Sequence, residues 1–119
     1  MFIVTKRMTI AASHKLDLSY DSPCANLHGH NWVIEVTVAS DNLNLSGMVV
    51  DFAALKDFVF RLDHIYLNKV FDKTNPTAEN IAVWIFSRLQ TIIEGASNKP
   101  KVTKVTVQES EGNIACYIP

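Results

Sequence analysis

Two stretches in the first third of the chain alternate apolar and polar residues with a period of two, and this pattern limits the fold more than any other sequence feature. Most even-numbered residues are apolar from Phe2 to Ala12, and even numbers are again apolar from Trp32 to Val38. Side chains at i and i+2 of a strand project from the same face of a sheet. The alternation therefore predicts two half-buried β-strands, joined by a polar loop over residues 15–27.

The middle of the chain changes to helical spacing. Asp51 is placed to cap a helix whose apolar residues recur every three or four positions: Phe52, Leu55, Val59 and Leu62. A second helix is predicted after Asn75-Pro76-Thr77, because proline fits a first helical turn and Asn75 or Thr77 supplies a capping oxygen. Its predicted apolar stripe, which ends at Gly95, consists of Ile81, Trp84, Ile85, Leu89 and Ile92.

Two further strands are predicted near the C-terminus, over residues 102–109 and 114–118, around the hairpin signal Ser110-Glu111-Gly112-Asn113. The element order ββααββ indicates an α+β fold, a four-stranded antiparallel sheet with two helices on one face. Such an open sheet has two edges, and the outer strands lack the prolines and inward charges that usually protect edges. We therefore expect the chain to oligomerise through its sheet edges.

Composition excludes several classes of protein. The 119 residues suit a single domain, here 1–119. Eleven basic and twelve acidic residues give a net charge of -1, which is not the charge expected of a nucleic-acid-binding protein. The longest apolar run, residues 81–86, is far shorter than the roughly 20 residues needed to cross a bilayer. No signal peptide is recognisable, and two cysteines are too few for a secreted disulfide framework. We expect a cytoplasmic protein with neither nucleic-acid nor membrane partners.

Three of the four histidines form a candidate metal site. His28 and His30 share the even register of the second strand, and His14 continues the even register of the first. If these strands pair as a hairpin, the three imidazoles meet where the buried face opens into the loop. Three neutral imidazoles suit a catalytic Zn²⁺ ion, which commonly has three protein ligands and one open position. Iron or another divalent ion has similar ligand preferences, and the alternative is three ordinary hydrogen-bonded histidines.

Other candidate residues surround this motif. Cys24 lies in the loop beside it, where a nearby dication favours the thiolate as base, nucleophile or fourth ligand; a small buried hydrophobe is the alternative, and Cys116 is interpreted that way. In the pair Asp63-His64 the carboxylate can orient the imidazole for proton transfer, or the pair is a solvated helix end.

Glu109 shares the parity of Val105 and Val107, so its carboxylate is expected to face inward, where a ligand's paired N–H groups would satisfy it; a water-exposed strand end is the alternative. Thr77 and Glu79 at the second helix start are explained by capping and by the helix dipole.

These residues together resemble the 6-pyruvoyltetrahydropterin synthase superfamily, and most closely its bacterial 6-carboxytetrahydropterin synthase branch of the queuosine pathway. The resemblance covers nearly the whole chain. It is carried by His14, Cys24-Ala25-Asn26-Leu27-His28-Gly29-His30-Asn31, Val50-Asp51-Phe52, Leu62-Asp63-His64, Leu67-Asn68, Asn75-Pro76-Thr77-Ala78-Glu79-Asn80 and Glu109. The Cys-x3-His-Gly-His block is its most specific element.

The resemblance implies a tunnelling fold (T-fold), with subunits joined by edge pairing into trimeric barrels and trimers stacked as a homohexamer with active sites at subunit interfaces. It also implies one zinc ion per subunit on His14, His28 and His30. Cys24 and the Asp63-His64 pair would handle protons, the pair reaching the site from a neighbouring subunit. Glu109 would anchor the pterin ring, assisted by Thr77 and Glu79.

The implied reaction converts 7,8-dihydroneopterin triphosphate to 6-carboxy-5,6,7,8-tetrahydropterin and releases acetaldehyde and triphosphate. Lys15, beside His14, is the candidate cation for the triphosphate.

Three residues between cysteine and His-Gly-His favour the carboxy branch over the pyruvoyl branch, whose eukaryotic members have five. The run from Asp51 to Asp63 is about one helical turn, ~3.6 residues, shorter than is typical. The alternatives are a pyruvoyl-type synthase, a non-catalytic zinc- or pterin-binding module, and a zinc hydrolase.

Overall fold

The predicted order ββααββ is the order of the main elements in a computed structural model that describes residues 1–119. They are β1 (Phe2–His14), β2 (His28–Ser40), α1 (Phe52–Val59), α2 (Ala78–Ile93), β3 (Lys101–Ser110) and β4 (Asn113–Tyr117). The strands form one antiparallel sheet in the order β1-β2-β3-β4. Neither helix has the length and apolarity that a bilayer-crossing helix needs.

The predicted parity of the first two strands is confirmed. In β1 the even residues Met8, Ile10, Ala12 and His14 are buried, and in β2 Trp32, Ile34, Val36 and Val38 are buried. The strands pair in a register that sets His14 opposite His28 and Ala12 opposite His30. The apolar alternation thus places the histidines at one end of the buried face.

The helices cover the face of the sheet that carries these even residues. α2 lies mainly against β3 and β4, and Trp84 of α2 stacks on Phe58 of α1 with ring centroids 5.5 Å apart. The predicted stripe of α2 is wrong at its end, because Ile92 is 52% exposed whereas Ile93 is only 6% exposed. At 3.6 residues per turn, the position four residues after Leu89, rather than three, returns to the sheet.

The outer edge of β1 is partly covered near the histidines. There Ala11 accepts a hydrogen bond from the His64 amide and Ser13 donates one to the Ile65 carbonyl, and Ser13 forms a parallel bridge with Tyr66. The remainder of this edge pairs with no strand of the chain, and β4 forms the opposite edge. The sheet therefore has the two open edges that the sequence predicts.

Candidate functional site

Three neighbouring strands bring four potential metal ligands together. His14 comes from the end of β1, His28 and His30 from the start of β2, and Glu109 from the end of β3. One ligand atom from each lies within 4.8 Å of the others. The fold thus gathers the three predicted histidines and adds a carboxylate to them.

The hydrogen bonds of two imidazoles define which nitrogen faces the centre of the cluster. His14 Nδ1 lies 2.8 Å from the Pro76 carbonyl, and His28 Nδ1 lies 2.6 Å from the Asn26 carbonyl. A carbonyl only accepts, so both Nδ1 atoms donate, and in neutral rings both Nε2 atoms are left without a proton. These two Nε2 atoms lie 2.9 Å apart. Two lone pairs in such proximity repel each other unless a proton or a metal ion lies between them, and backbone carbonyls commonly orient metal-ligating histidines in this way.

His30 supports the same conclusion. Its Nε2 is buried and has no hydrogen-bond partner, which is costly unless another interaction satisfies the atom. Together the donor set and this orphaned nitrogen fit a divalent ion such as zinc, which supplies Lewis-acid chemistry when bound.

Burial keeps His14 in the form that a metal ligand requires. His14 is 1% exposed, and desolvation lowers its pKa, although the hydrogen bond to the Pro76 carbonyl opposes this effect. The neighbouring His28 lowers the pKa of His14 further. Metal binding requires neutral imidazole, so the surroundings of His14 favour binding without competition from a proton.

Cys24 lies beside this cluster along the chain but is not one of its four ligand groups. It sits in a short 3₁₀ turn, Pro23–Ala25, where its amide donates to the Ser22 hydroxyl and its carbonyl accepts from the Leu16 amide. The thiol is free and half-buried. The geometry gives no support to a fourth-ligand role.

The interpretation of Cys116 as a buried hydrophobe is wrong, because its thiol is exposed on β4. The even residues of this strand, including Ile114, face away from the helices, while Ala115 and Tyr117 pack on the core.

Asp63 and His64 do contact each other. Asp63 Oδ2 lies 2.9 Å from His64 Nδ1, and Asp63 Oδ1 accepts from the Ala11 amide at 2.8 Å. That backbone hydrogen bond is the main cause of a lowered Asp63 pKa, and the contact with His64 adds to it. The His64 side chain is 81% exposed, and its φ of 58° lies in the left-handed region that few non-glycine residues adopt.

The dyad lies at the outer edge of β1, where Asp63 and His64 bond to the Ala11 backbone, and neither residue is one of the four ligand groups of the cluster. A cleft of about 490 Å³ beside His64 is lined by Ala11, Ala12, Ser13, Gly29, His30, Asn31, Ile65 and Tyr66. The side chains of Ala11, Ser13 and Asn31 have odd numbers and project from the face opposite the even-numbered histidines. The cleft beside His64 is therefore formed largely by the face opposite the histidine side chains, although His30 also lines it.

The remaining predicted site residues lie near the start of α2 or in the loop after β1. Thr77 caps α2, and its hydroxyl accepts from the Asn80 amide at 3.1 Å. Glu79 is exposed in the first turn of α2, and Lys15 is exposed directly after His14. Thr77 is therefore the helix cap that the sequence pattern predicts, and this hydrogen bond uses one lone pair of its hydroxyl oxygen.

Two asparagines hold the loops around the histidines, a role that the sequence did not predict for either, although Asn75 was an alternative to Thr77 as the cap of α2. Asn68 exchanges two hydrogen bonds with the Lys15 backbone, and Asn75 exchanges two with the Asp17 backbone. Asn75 directly precedes Pro76, whose carbonyl orients His14. The only sequence signal for these roles is an asparagine in a loop, a residue that often bonds to backbone groups.

Comparison with known proteins identifies the family. A family model described as 6-pyruvoyl tetrahydropterin synthase matches residues 3–119. The chain belongs to this family. The chain is 33% identical over 125 residues to a 6-carboxy-5,6,7,8-tetrahydropterin synthase of Bacillus subtilis, covering 99% of this chain and 86% of the relative. The protein of that name from Aquifex aeolicus is 43% identical over 121 residues, covering 79% and 75%.

A solved structure of the family has the same fold. The 6-pyruvoyl tetrahydropterin synthase of Caenorhabditis elegans superimposes with a TM-score of 0.76 at 32% identity, over 100% of this chain and 97% of that one. The predicted α+β class, with a four-stranded antiparallel sheet and two helices, is thereby confirmed.

Proposed function

We propose that this pterin synthase family member is a zinc-dependent lyase of the 6-carboxytetrahydropterin synthase type. It would convert 7,8-dihydroneopterin triphosphate, with uptake of water, to 6-carboxy-5,6,7,8-tetrahydropterin, acetaldehyde and triphosphate, a step of queuosine biosynthesis. The observation that carries the proposal is the cluster of His14, His28, His30 and Glu109, whose ligand atoms lie within 4.8 Å of one another, with the Nε2 atoms of His14 and His28 2.9 Å apart and that of His30 unpartnered. Bacterial relatives that bear the carboxy name support the choice of branch.

In this proposal the chain's own residues have separate tasks. His14, His28 and His30 hold one zinc ion per subunit. Cys24 and His64 move protons at neighbouring side-chain carbons, and Asp63 orients His64. Glu109 binds the N–H groups of the pterin ring, Thr77 and Glu79 assist it, and Lys15 binds the triphosphate.

The position of the dyad at the open edge of β1 supports a shared site. Because the His64 side chain is 81% exposed there and is not a ligand group of its own chain's cluster, the His64 that serves a given cluster would belong to a neighbouring subunit. The open edges of β1 and β4 are suited to pairing between subunits. A homohexamer built as two stacked trimeric barrels, with active sites at its interfaces, satisfies both observations.

The decisive test is to incubate the zinc-loaded protein with 7,8-dihydroneopterin triphosphate and to analyse the pterin by mass and the volatile product by derivatisation. The proposal predicts the carboxylated pterin and an equal amount of acetaldehyde. Triphosphate release with the three-carbon side chain retained would favour a pyruvoyl-type synthase instead, the activity named for the C. elegans structure. Binding of the pterin without any product would indicate a non-catalytic module.

A further inference from the structure

Glu109 occupies an unusual position at the end of β3. Across the β3–β4 pair, Gln108 lies opposite Ile114 and Ser110 lies opposite Asn113, so Glu109 is an extra residue in the ladder. Such a β-bulge re-aims a side chain, and bulges are frequent beside active sites. At this bulge the Glu109 carboxylate lies against His30.

The contact between Glu109 and His30 is close without being a hydrogen bond. Glu109 Oε1 lies 2.8 Å from His30 Nε2, yet this nitrogen has no partner that satisfies hydrogen-bond geometry. The carboxylate oxygen therefore lies off the direction in which the ring nitrogen would donate. Such a contact is expected where the carboxylate oxygen and the ring nitrogen both direct a lone pair at a third position between them.

The spacing of the four groups agrees with a common centre. Four ligands about 2.1 Å from a tetrahedral zinc ion are separated by about 3.4 Å from one another. His14 and His28 are 2.9 Å apart at their Nε2 atoms, and no pair among the four ligand atoms exceeds 4.8 Å. The Glu109 carboxylate thus fits the fourth position as well as the imidazoles fit the other three.

We infer that in the substrate-free protein Glu109 is the fourth protein ligand of the ion, and that it leaves this position to bind the pterin ring when substrate arrives. This inference rests on the proposed function. Structural zinc sites are closed by four protein ligands, whereas catalytic sites keep one position open. With Glu109 bound, the ion would have four protein ligands. When Glu109 binds the paired N–H groups of a pterin instead, its bond to the ion would be lost and one coordination position would open.

The test compares metal affinity in variants of the full-length protein. Zinc dissociation constants are measured by competition with a chromogenic chelator for the wild type, Glu109→Gln and the matched control Glu111→Gln, which lies exposed in the β3–β4 turn. We expect Glu109→Gln to bind zinc at least about tenfold more weakly, because loss of even an outer-shell partner typically costs 10–100-fold. Glu111→Gln should bind as the wild type does. Glu109→Asp, which keeps the charge, serves if the amide variant fails to fold.

The visible spectrum of the cobalt-substituted protein gives a readout that is independent of turnover. We expect the intense bands of a four-coordinate site in the wild type, a changed spectrum in Glu109→Gln, and a change in the wild type when 7,8-dihydroneopterin is added. Unchanged affinity and an unchanged cobalt spectrum in Glu109→Gln would overturn the ligand role, and no spectral response to the pterin would overturn the exchange. His28→Ala tests the proposed function alone, because it should lose zinc whether or not Glu109 is a ligand. If it binds zinc normally, the proposed function itself fails.

Discussion

Cys24 and Cys116 are chemically identical side chains in different surroundings, and they allow a test at the scale of single residues. Cys24 is half-buried in the turn that precedes the histidine motif, while Cys116 is exposed on β4. We expect Cys24→Ala to lower kcat by at least about 100-fold, because a positioned proton-transfer group contributes 10²–10⁴-fold. Cys24 is not part of the ligand cluster, so zinc content, measured by atomic emission, should stay that of the wild type.

Cys116→Ala is the control and should retain the wild-type rate. Full activity in Cys24→Ala would contradict a proton-transfer role and would favour a hydrolase, since such an enzyme does not depend on the thiol. Loss of zinc in Cys24→Ala would instead restore the fourth-ligand interpretation.

Asp63 gives a prediction about pH and stability. The Ala11 amide and the contact with His64 hold the pKa of its carboxyl below the ordinary 3.8. A carboxyl with a depressed folded-state pKa stabilises the fold above the unfolded pKa, and this contribution is lost as pH falls through the folded pKa. Asp63→Asn keeps an oxygen that can accept from Ala11 but loses the charge. It should therefore be less stable than the wild type at neutral pH, and the difference should shrink below pH 3.8.

Urea denaturation of both proteins over a pH series, at one protein concentration, measures this difference. A gap in midpoint that is independent of pH would show that the charge on Asp63 does not stabilise the fold, and the variant would then differ only through packing.

At the scale of elements, the loop after β1 depends on a side chain outside it. Asn75 makes two hydrogen bonds to the Asp17 backbone and precedes the residue that orients His14. We expect Asn75→Ala to lower the free energy of unfolding by about 1–3 kcal/mol, at about 0.5–1.5 kcal/mol for each of the two hydrogen bonds. Zinc affinity should also fall, because the Pro76 carbonyl becomes less firmly placed.

Asn44 provides the matched control for Asn75. It is also half-buried, and its side chain accepts hydrogen bonds from the backbone amides of Ser46 and Met48, in the loop after β2. Asn44→Ala should lose similar stability, measured by urea denaturation, with no change in zinc affinity. Equal effects of both variants on zinc affinity would show that Asn75 acts through global stability alone.

Strands and helices were predictable from the sequence because each carries its own periodicity. The even register from Met8 to His14 and from His28 to Val38 fixes which face is buried, so the histidine cluster follows from local pattern and one hairpin register. The bulge at Glu109 was not predictable, because it depends on the pairing of Gln108 with Ile114 across a turn. The role of the Pro76 carbonyl in orienting His14 was not predictable either, because every residue has a backbone carbonyl and the sequence does not show which one accepts a hydrogen bond.

At the scale of the whole molecule, the decisive property of the chain is that its histidine cluster lies at the end of the buried face, whereas His64 is exposed at the outer edge of β1. Sequence parity places His14, His28 and His30 on one face, but it says nothing of His64, which reaches the edge of β1 through a hydrogen bond to Ala11. The left-handed φ of His64 turns its exposed ring outward. A neighbouring subunit is the simplest partner for such a side chain.

Subunit mixing tests this arrangement. His28→Ala destroys the metal cluster of a chain, and His64→Asn removes the imidazole while keeping a residue that tolerates positive φ. Each variant alone should be inactive. If every site combines the cluster of one chain with the dyad of another, equal amounts of both variants, dissociated and reassembled together, should regain about a quarter of the wild-type activity per site, since random assembly in a symmetric oligomer pairs two intact halves at that frequency. The same variants reassembled separately and then combined should stay inactive. Failure of the co-assembled sample to regain activity, with its oligomeric size restored by size-exclusion chromatography, would place both halves of the site within one chain.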